Sequence, residues 1–218
     1  MTVKNVTLVM LTCQVRLPVT RARLGRVSEL PAWYPGSENK VAPMPLLRVQ
    51  GFVNTRDLEE GTDLLADRST ARDWLREAGL LGRGAELTES ELEFTRGMRE
   101  AVRGLIGVGG EDVPTDGGPL EPLRQLAANH RARLTVDDDG TVGIVNARDE
   151  GLHDALFELL LVVHSSQQDG SWSRLKLCAN PDCEWAFFDR SRNQQGSWCA
   201  METCGNRLKN REFRARRR

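Results

Sequence analysis

Residues 178–207 read CANPDCEWAFFDRSRNQQGSWCAMETCGNR and contain four of the chain's five cysteines. The cysteines form two pairs, Cys178-x4-Cys183 and Cys199-x4-Cys204, with 15 residues between the pairs. Two pairs on tight turns can converge on one ion, and zinc is the usual ion for four thiolates in a reducing compartment. Because four protein ligands leave no open coordination position, the spacing predicts one structural Zn²⁺.

Two other roles for the clustered cysteines stay open at this point. Four cysteines also hold iron–sulfur clusters, and the two pairs could instead form redox disulfides. The x4 spacing within each pair is less common in zinc sites than x2. Metal analysis separates these alternatives from a zinc site.

Aromatic and basic side chains lie between the two pairs. The aromatic side chains are predicted to pack around the metal, because so small a subdomain has no core of its own. They belong to Trp185, Phe187, Phe188 and Trp198. The segment that leads to Gly196 is rich in turn-forming residues, and its basic and amide side chains are predicted to be exposed.

The C-terminal end of the chain is basic. From residue 190 onward nine Lys or Arg residues stand against two acidic residues, a net charge of +7, and the remainder carries −8. Such asymmetry favours a polyanionic partner, and a basic helix after residue 204 suits phosphate and major-groove contacts. The predicted nucleic-acid-binding residues are Arg190, Arg192, Asn193, Arg207, Lys209, Arg211, Arg214, Arg216 and Arg217.

The residues before the cysteine segment carry mainly helical signals. Thr88 and Glu91 form a capping box at the start of one helix. Ser69 or Thr70 is predicted to cap a shorter helix. The apolar stretch 151–168 predicts a long helix at the centre of the core.

The predicted fold class is mainly α. A helical N-terminal domain (44–170) with a small β-hairpin precedes a small zinc-finger subdomain (171–218) that ends in a basic helix. The hairpin is predicted to turn at Asp139-Gly140. Residues 1–43 contain four prolines and no helical period, so we predict an N-terminal extension that is disordered or precedes the native start.

Several function classes are excluded by what the sequence lacks. No apolar run approaches the roughly 18 residues of a membrane span, and no signal-peptide cleavage site follows the N-terminal apolar stretch. We therefore predict a cytoplasmic protein with no membrane partner. The chain has no phosphate loop, nucleophile elbow or HExxH motif, so it is predicted not to be an enzyme.

Motifs in both parts of the chain resemble the CGNR zinc-finger family, in which the finger follows a helical ABATE domain. DRSRN at 189–193 and CGNR at 204–207 resemble the finger, and GFVNTRD at 51–57 and WLREAGLL at 74–81 resemble the start of the ABATE domain. The resemblance extends from about residue 46 to the end and implies a stress-induced bacterial transcription regulator. The zinc ligands that it implies are Cys178, Cys183, Cys199 and Cys204.

Two departures from the family pattern lie outside the metal ligands. The family often has arginines where residues 194–197 read QQGS here, and it commonly has a histidine near where Glu212 and Phe213 fall. Both departures could alter contacts with DNA.

Together these features predict a zinc-dependent transcription regulator that binds duplex DNA. The helical domain would sense a signal or mediate dimerisation, and we expect a homodimer because one finger offers a small interface. Asn54 and Thr55 are candidates for binding a small-molecule effector, although we favour the alternative that Asn54 caps a helix or satisfies buried backbone. The alternative functions are an RNA-binding zinc protein and a zinc module that binds an acidic protein.

Overall fold

The computed structural model of the chain describes residues 30–36, 40–107, 118–148 and 151–206. These segments form five α-helices and three two-stranded antiparallel sheets, which confirms a mainly α fold. The helices are α1 Leu46–Val53, α2 Arg68–Glu77, α3 Glu89–Gly107, α4 Glu121–Asn129 and α5 Leu152–Gln168. The paired strands are β1 Arg56–Asp57 with β2 Thr62–Asp63, β3 Ala132–Val136 with β4 Val142–Asn146, and β5 Leu175–Leu177 with β6 Ala186–Phe188. The predicted basic helix after residue 206 lies outside the described residues.

Helix α1 is almost wholly buried, and the core is built around it. Seven of its eight residues are buried, and α3 and α5 both pack against it. On another side of α1, Gly51 permits the close approach of Trp33, because a Cβ at that position would lie 2.6 Å from the Trp33 ring. In the part of the chain that the structure covers, every helix is too short or too polar to span a bilayer.

One apolar core joins the helical domain to the cysteine segment. The cluster that contains Phe52 of α1 and Leu156 of α5 also contains Leu175, Ala186 and Phe188 from strands β5 and β6. Phe188 is 1% exposed. The β5–β6 hairpin therefore completes the core of the helical domain and has no separate one.

Of the two helix caps predicted from the sequence, one is present in the structure and the other is not. At the start of α3, Thr88 N donates to Glu91 Oε2 over 2.8 Å and Glu91 N donates to Thr88 Oγ1 over 3.2 Å, so the capping box is confirmed. At α2, however, Asp67 Oδ1 accepts hydrogen bonds from the backbone N–H groups of Ser69 and Thr70. The prediction that one of those two residues caps α2 is wrong, because the helix begins earlier and a carboxylate serves as its cap.

The described part of the N-terminal segment packs against the rest of the chain. Trp74 Nε1 donates to the Trp33 carbonyl over 2.8 Å, and Phe188 N donates to the Lys40 carbonyl over 2.8 Å. Ala42 is fully buried. Residues 30–36 and 40–43 therefore contribute to the fold, while the boundary at residue 44 and the position of the native start stay predictions.

Candidate metal centre and nucleic-acid interface

Four cysteine side chains come together in the segment that contains and follows strands β5 and β6. The sulfurs of Cys178, Cys183, Cys199 and Cys204 all lie within 4.8 Å of one another. Cys199 is partly exposed and the other three are buried. Within the described ranges, this is the one group of three or more Cys, His or acidic side chains that could hold a metal ion.

Two tight turns and a short helical turn bring the four sulfurs together. Cys178 directly follows β5, and its N–H donates to the Trp185 carbonyl over 2.9 Å. Cys183 N donates to the Asn180 carbonyl over 2.9 Å, which closes the first turn. Cys204 lies in a π-helical turn, Met201–Gly205. Cys178 and Cys183 are thus held by backbone hydrogen bonds, and Cys204 is held in the helical turn that contains it.

The glycine after the last cysteine is explained by packing. A Cβ at Gly205 would lie 2.5 Å from Met201 Sδ and 3.2 Å from Trp198 Cδ1. A larger residue would therefore displace the Met201 side chain and crowd Trp198. The glycine of the CGNR motif thus allows these two side chains to pack beside the last cysteine.

The distances between sulfurs fit a tetrahedral ion. Cys183 Sγ lies 3.8 Å from Cys199 Sγ, and Cys199 Sγ lies 3.7 Å from Cys204 Sγ. A tetrahedron with metal–sulfur bonds of about 2.3 Å has edges of about 3.8 Å. The sulfurs of a disulfide would be about 2.05 Å apart, so neither of these pairs is bonded. The four thiols therefore fit one ion with no open coordination position.

Two polar groups contact Cys204 Sγ. Asn180 Nδ2 donates to this sulfur over 3.7 Å. Cys204 Sγ in turn donates to Glu59 Oε2, in the β1–β2 turn, over 3.9 Å. The helical domain thus reaches to within contact distance of the metal centre.

Proton sharing among the thiols also favours a bound cation. Hydrogen bonds from the Cys183 and Cys199 thiols, together with backbone N–H groups of Cys199 and Asn180, hold the pKa of Cys178 well below its usual range. The thiol of Cys178 and the neighbouring cluster thiols raise the pKa of Cys183 in turn. Without a cation the cluster cannot carry four negative charges, whereas a divalent ion lets every thiol ionise.

Comparison with known families agrees with this division into a helical domain and a cysteine segment. The ABATE family model, described as "Putative stress-induced transcription regulator", matches residues 49–168, more than half of the chain. The chain belongs to the ABATE family. A second model, described as "CGNR zinc finger", matches residues 174–217. No curated protein matches the chain. Both motif assignments made from the sequence are therefore confirmed.

A single carboxylate organises the loop between the two cysteine pairs of the CGNR finger. Asp189 is 3% exposed. Its carboxylate accepts hydrogen bonds from Ser191 N, Ser191 Oγ, Gly196 N and Lys176 Nζ at distances between 2.6 and 3.0 Å. Lys176 Nζ also donates to the Gln194 carbonyl. We call residues 189–196 the basic loop, and Asp189 fixes both of its ends.

Gly196 fits the same arrangement. A Cβ at this position would lie 2.9 Å from Asp189 Oδ2, so a side chain would displace the carboxylate. Burial raises the pKa of Asp189, but the hydrogen bonds from Ser191, Lys176 and Gly196 outweigh burial and hold it well below its usual range. The carboxylate therefore stays ionised at neutral pH.

The basic loop presents three of the predicted nucleic-acid-binding residues. Arg192 and Asn193 are exposed. Arg190 is also exposed, but its Nη2 donates to the Val41 carbonyl over 2.9 Å and its guanidinium lies 5.7 Å from the centre of the Phe188 ring. The remaining six predicted contacts lie outside the described residues. They are Arg207, Lys209, Arg211, Arg214, Arg216 and Arg217.

Buried polar side chains of the ABATE domain form hydrogen bonds with the backbone of the CGNR finger. Asn54 Nδ2 donates to the Ala186 carbonyl over 2.9 Å, and Asn54 Oδ1 accepts from Ala186 N over 2.8 Å. Gln50 Nε2 donates to the same carbonyl over 3.1 Å. Arg103 Nη1 donates to the Glu184 carbonyl over 2.9 Å. These three residues hold the chain immediately after the Cys183 ligand, and we call them the backbone clamp.

The two residues predicted to bind an effector are both buried. Asn54 is 1% exposed and ends α1 as its C-cap, so the structure gives it the backbone role that the sequence left open. Thr55 is 2% exposed. Its hydroxyl donates to the Phe52 carbonyl over 2.8 Å and accepts from Arg99 Nη1 over 3.2 Å. Effector binding at these positions stays a prediction.

Three residues that shape the site were not identified from the sequence. Asp189 had a local signal, since an aspartate two residues before a serine is typical of a side-chain-stabilised turn. Gln50 had a weaker signal as a polar residue within the apolar run of α1. Arg103 gave no signal beyond a charged residue in a helical pattern, because its partner Glu184 is 81 residues away.

Proposed function

We propose that this ABATE protein is a zinc-dependent transcription regulator that binds duplex DNA through its CGNR finger. The observation that carries the proposal is the rigid basic loop beside the four-thiol site. The loop exposes a guanidinium and an amide, from Arg192 and Asn193, on a turn held at both ends by Asp189. Arginine and asparagine are side chains that read guanine and adenine edges in the major groove.

Charge supports a nucleic acid as the partner. The stretch from residue 190 onward carries +7 whereas the remainder carries −8. The residues from 207 to 218 continue the basic character in sequence and add arginines suited to phosphate contacts. An acidic body would repel DNA everywhere except along this end of the molecule, which orients the protein on the duplex.

Zinc has a structural role in this proposal. The four cysteines would hold the ion and so tie the turn after β5 to the helical turn that contains Cys204. The basic loop connects these two turns, and its position would therefore depend on the ion. No chemical step is assigned to the protein, because all four coordination positions are filled by thiolates. A reducing cytoplasm, which keeps such thiolates available for metal, is part of the proposal.

The ABATE domain would supply sensing or dimerisation. The backbone clamp joins α1 and α3 to the residues after Cys183, so a change in the helical domain would reach the finger through direct hydrogen bonds. A homodimer is expected on DNA, because a single finger buries too little surface for useful specificity.

The proposal is tested by fluorescence anisotropy with zinc-loaded protein and labelled duplex from its own promoter. Scrambled duplex and single-stranded RNA serve as competitors, at two salt concentrations, and metal content is measured on the same sample. Cys199→Ser removes one ligand. Arg192→Glu reverses a charge on the basic loop, and Arg83→Glu makes the same change at an exposed arginine in the α2–α3 connection.

We expect selective retention of the promoter, loss of binding in Cys199→Ser, and at least about tenfold weaker binding for Arg192→Glu than for Arg83→Glu. Preference for RNA would replace this function with the RNA-binding alternative. Equal binding to promoter and scrambled duplex, lost at the higher salt concentration, would mean that the basic end supplies only charge. That result would contradict a sequence-specific regulator.

A further inference from the structure

Lys40 contacts the cysteine segment from outside both regions that match a family. The ABATE model matches residues 49–168 and the CGNR model matches residues 174–217. Lys40 Nζ nevertheless donates to the Trp198 carbonyl over 2.6 Å, across 158 residues of the chain. This carbonyl belongs to the peptide bond that joins Trp198 to the metal ligand Cys199.

The backbone of Lys40 is fixed by both parts of the molecule. Its carbonyl accepts hydrogen bonds from Phe188 N over 2.8 Å and from Gln50 Nε2 over 3.2 Å. Phe188 lies in β6, and Gln50 belongs to the backbone clamp. Two residues further on, Ala42 N donates to Gln50 Oε1 over 2.7 Å. The Lys40 side chain therefore starts from a backbone whose position relative to the CGNR finger is set.

The ammonium group of Lys40 is also held in place. It lies over the Phe187 ring, 5.0 Å from the ring centre, a distance at which the ring face attracts a cation. Phe187 is fully buried, so its ring is a rigid support. A hydrogen bond from a charged donor is roughly twice as strong as a neutral one. The Trp198 carbonyl thus has a strong and well-positioned partner.

Cys199 is the ligand that this contact positions. It is the one partly exposed member of the four thiols. The residues before it are held through successive carbonyls, since Ala179 N donates to the Ser197 carbonyl over 2.8 Å and Lys40 binds the next carbonyl. Lys40 therefore fixes the peptide plane that leads directly into Cys199.

The same peptide connects the charge of Lys40 with a second sulfur. The Trp198–Cys199 peptide is trans, so its C=O and N–H groups point to opposite sides. Its N–H donates a hydrogen bond to the Cys178 sulfur. A cation at the carbonyl end polarises the peptide and strengthens the hydrogen bond at the other end. Four thiolates around a divalent ion carry excess negative charge, which a cation at this position offsets.

We propose that Lys40 is a positioning residue of the metal centre, where it holds the Cys199 ligand through the Trp198 carbonyl and so raises the affinity of the site for zinc. Residues that contact a ligand and not the ion typically change metal affinity by about 10–100-fold. The proposal rests on the metal centre of the proposed function and not on DNA binding. A segment that precedes the ABATE match would thereby contribute to loading of the finger.

The experiment is competition for Zn²⁺ between the full-length chain and a chelator of known affinity. Lys40→Met keeps an unbranched stem but removes the donor and the charge, whereas Lys40→Arg retains both. Arg83→Met removes one positive charge from an exposed position in the α2–α3 connection. The chemical shift of the Cys199 amide proton in each zinc-loaded protein reports on the peptide itself, and thermal unfolding checks that the fold is retained.

We expect Lys40→Met to bind zinc at least about tenfold more weakly than the wild type. Lys40→Arg should return to within about threefold, because a guanidinium also donates to a carbonyl and lies over a ring. Arg83→Met should equal the wild type. The Cys199 amide proton should move upfield in Lys40→Met, since its peptide is less polarised without the cation, and Lys40→Arg should restore its position.

Four results would overturn the proposal. The first is equal zinc affinity in Lys40→Met and the wild type, and the second is a Lys40→Arg protein as weak as Lys40→Met. The third is weaker binding with an unchanged Cys199 amide proton, because Lys40 would then act on the fold and not on the peptide of the ligand. The fourth is equal weakening by Arg83→Met, which would assign the effect to net charge.

Failure of this proposal is distinguishable from failure of the proposed function. If the wild type binds zinc tightly while the Lys40 variants give any of these four results, the metal centre stands and only the role of Lys40 is lost. A wild type that binds no zinc would overturn both the role of Lys40 and the zinc-dependent function.

Discussion

The β3–β4 and β5–β6 hairpins differ in what their apolar side chains contact. In β5–β6 every residue of β6 is buried, and Phe188 and Ala186 belong to the core of the ABATE domain. In β3–β4 the aliphatic side chains Leu134 and Val136 are each 71% exposed. The apolar character of a hairpin therefore does not decide its burial; the neighbouring elements do.

The difference separates what holds the fold together from what is available to partners. The β5–β6 hairpin is fixed on one side by the backbone clamp and on the other by the four-thiol site. It thus links the metal centre to α1 and α3. The β3–β4 hairpin is fixed at its turn and its base, and its side chains Leu134 and Val136 are exposed.

Of the changes predicted for the two hairpins, removal of the metal from the β5–β6 side is expected to lower the free energy of unfolding most. Structural zinc binds finger peptides with about 10–16 kcal/mol, and here the finger shares its core with the helical domain. We therefore expect chelation, or Cys199→Ser, to lower the free energy of unfolding of the whole chain by several kcal/mol. Urea unfolding followed by the helical circular dichroism signal measures this.

The matched control for the metal experiment is Cys13→Ser, which removes the fifth cysteine but none of the cluster. Its metal content and unfolding midpoint should equal those of the wild type. A helical signal that does not respond to chelation would show that the finger and the helical domain are energetically independent.

Truncation of one apolar side chain in each hairpin gives the next largest contrast. Phe188→Ala leaves a cavity in the shared core and should cost about 3–5 kcal/mol of unfolding free energy. Leu134→Ala removes an exposed side chain and should change it by no more than about 0.5 kcal/mol. Urea unfolding of both variants makes the comparison, and equal losses would refute it.

The backbone clamp is tested by Asn54→Ala. This variant leaves the N–H of Ala186 buried without its acceptor, which should cost about 2 kcal/mol. Asn129→Ala removes an exposed amide that donates to the Gln125 carbonyl of its own helix and should be nearly neutral. Urea unfolding compares the two variants, and faster hydrogen exchange at Ala186 in Asn54→Ala would locate the damage in β6.

The smallest expected effect concerns the basic loop. The folded-state pKa of Asp189 is held below its usual range, so its ionised form contributes stability above the unfolded pKa of about 3.9 and loses it as pH falls further. Asp189→Asn should cost about 1 kcal/mol at neutral pH. The difference from wild type should shrink below about pH 4. Unfolding at a series of pH values tests this, and a difference that grows on acidification would contradict the assignment.

Local features of the sequence predicted much of the fold. The capping box of Thr88 and Glu91, the Asp139-Gly140 turn and the cysteine spacing each depend on residues close in sequence, and each is present in the structure. The predicted cap of α2 lies two or three residues too late, because Asp67, directly before the helix, accepts the hydrogen bonds of the capping position.

Contacts between residues far apart in the chain could not be predicted from the sequence. Asn54 meets Ala186 across 132 residues, and no periodicity or spacing indicates that such a pair exists. Alternation along β3 and β4 predicted a hairpin but not which side would face water, since that depends on where α5 lies. The sequence thus located the metal centre and left open how the ABATE domain holds it.

The central claim is that the CGNR finger and the ABATE domain form one cooperative unit. Hydrogen exchange of the zinc-loaded protein at increasing urea concentrations tests it most directly. We predict that the amides of Ala186 and Phe188 open with the same free energy as those of α1, and that chelation lowers both together. Exchange of the β6 amides at a clearly lower free energy, while α1 stays protected, would contradict the claim.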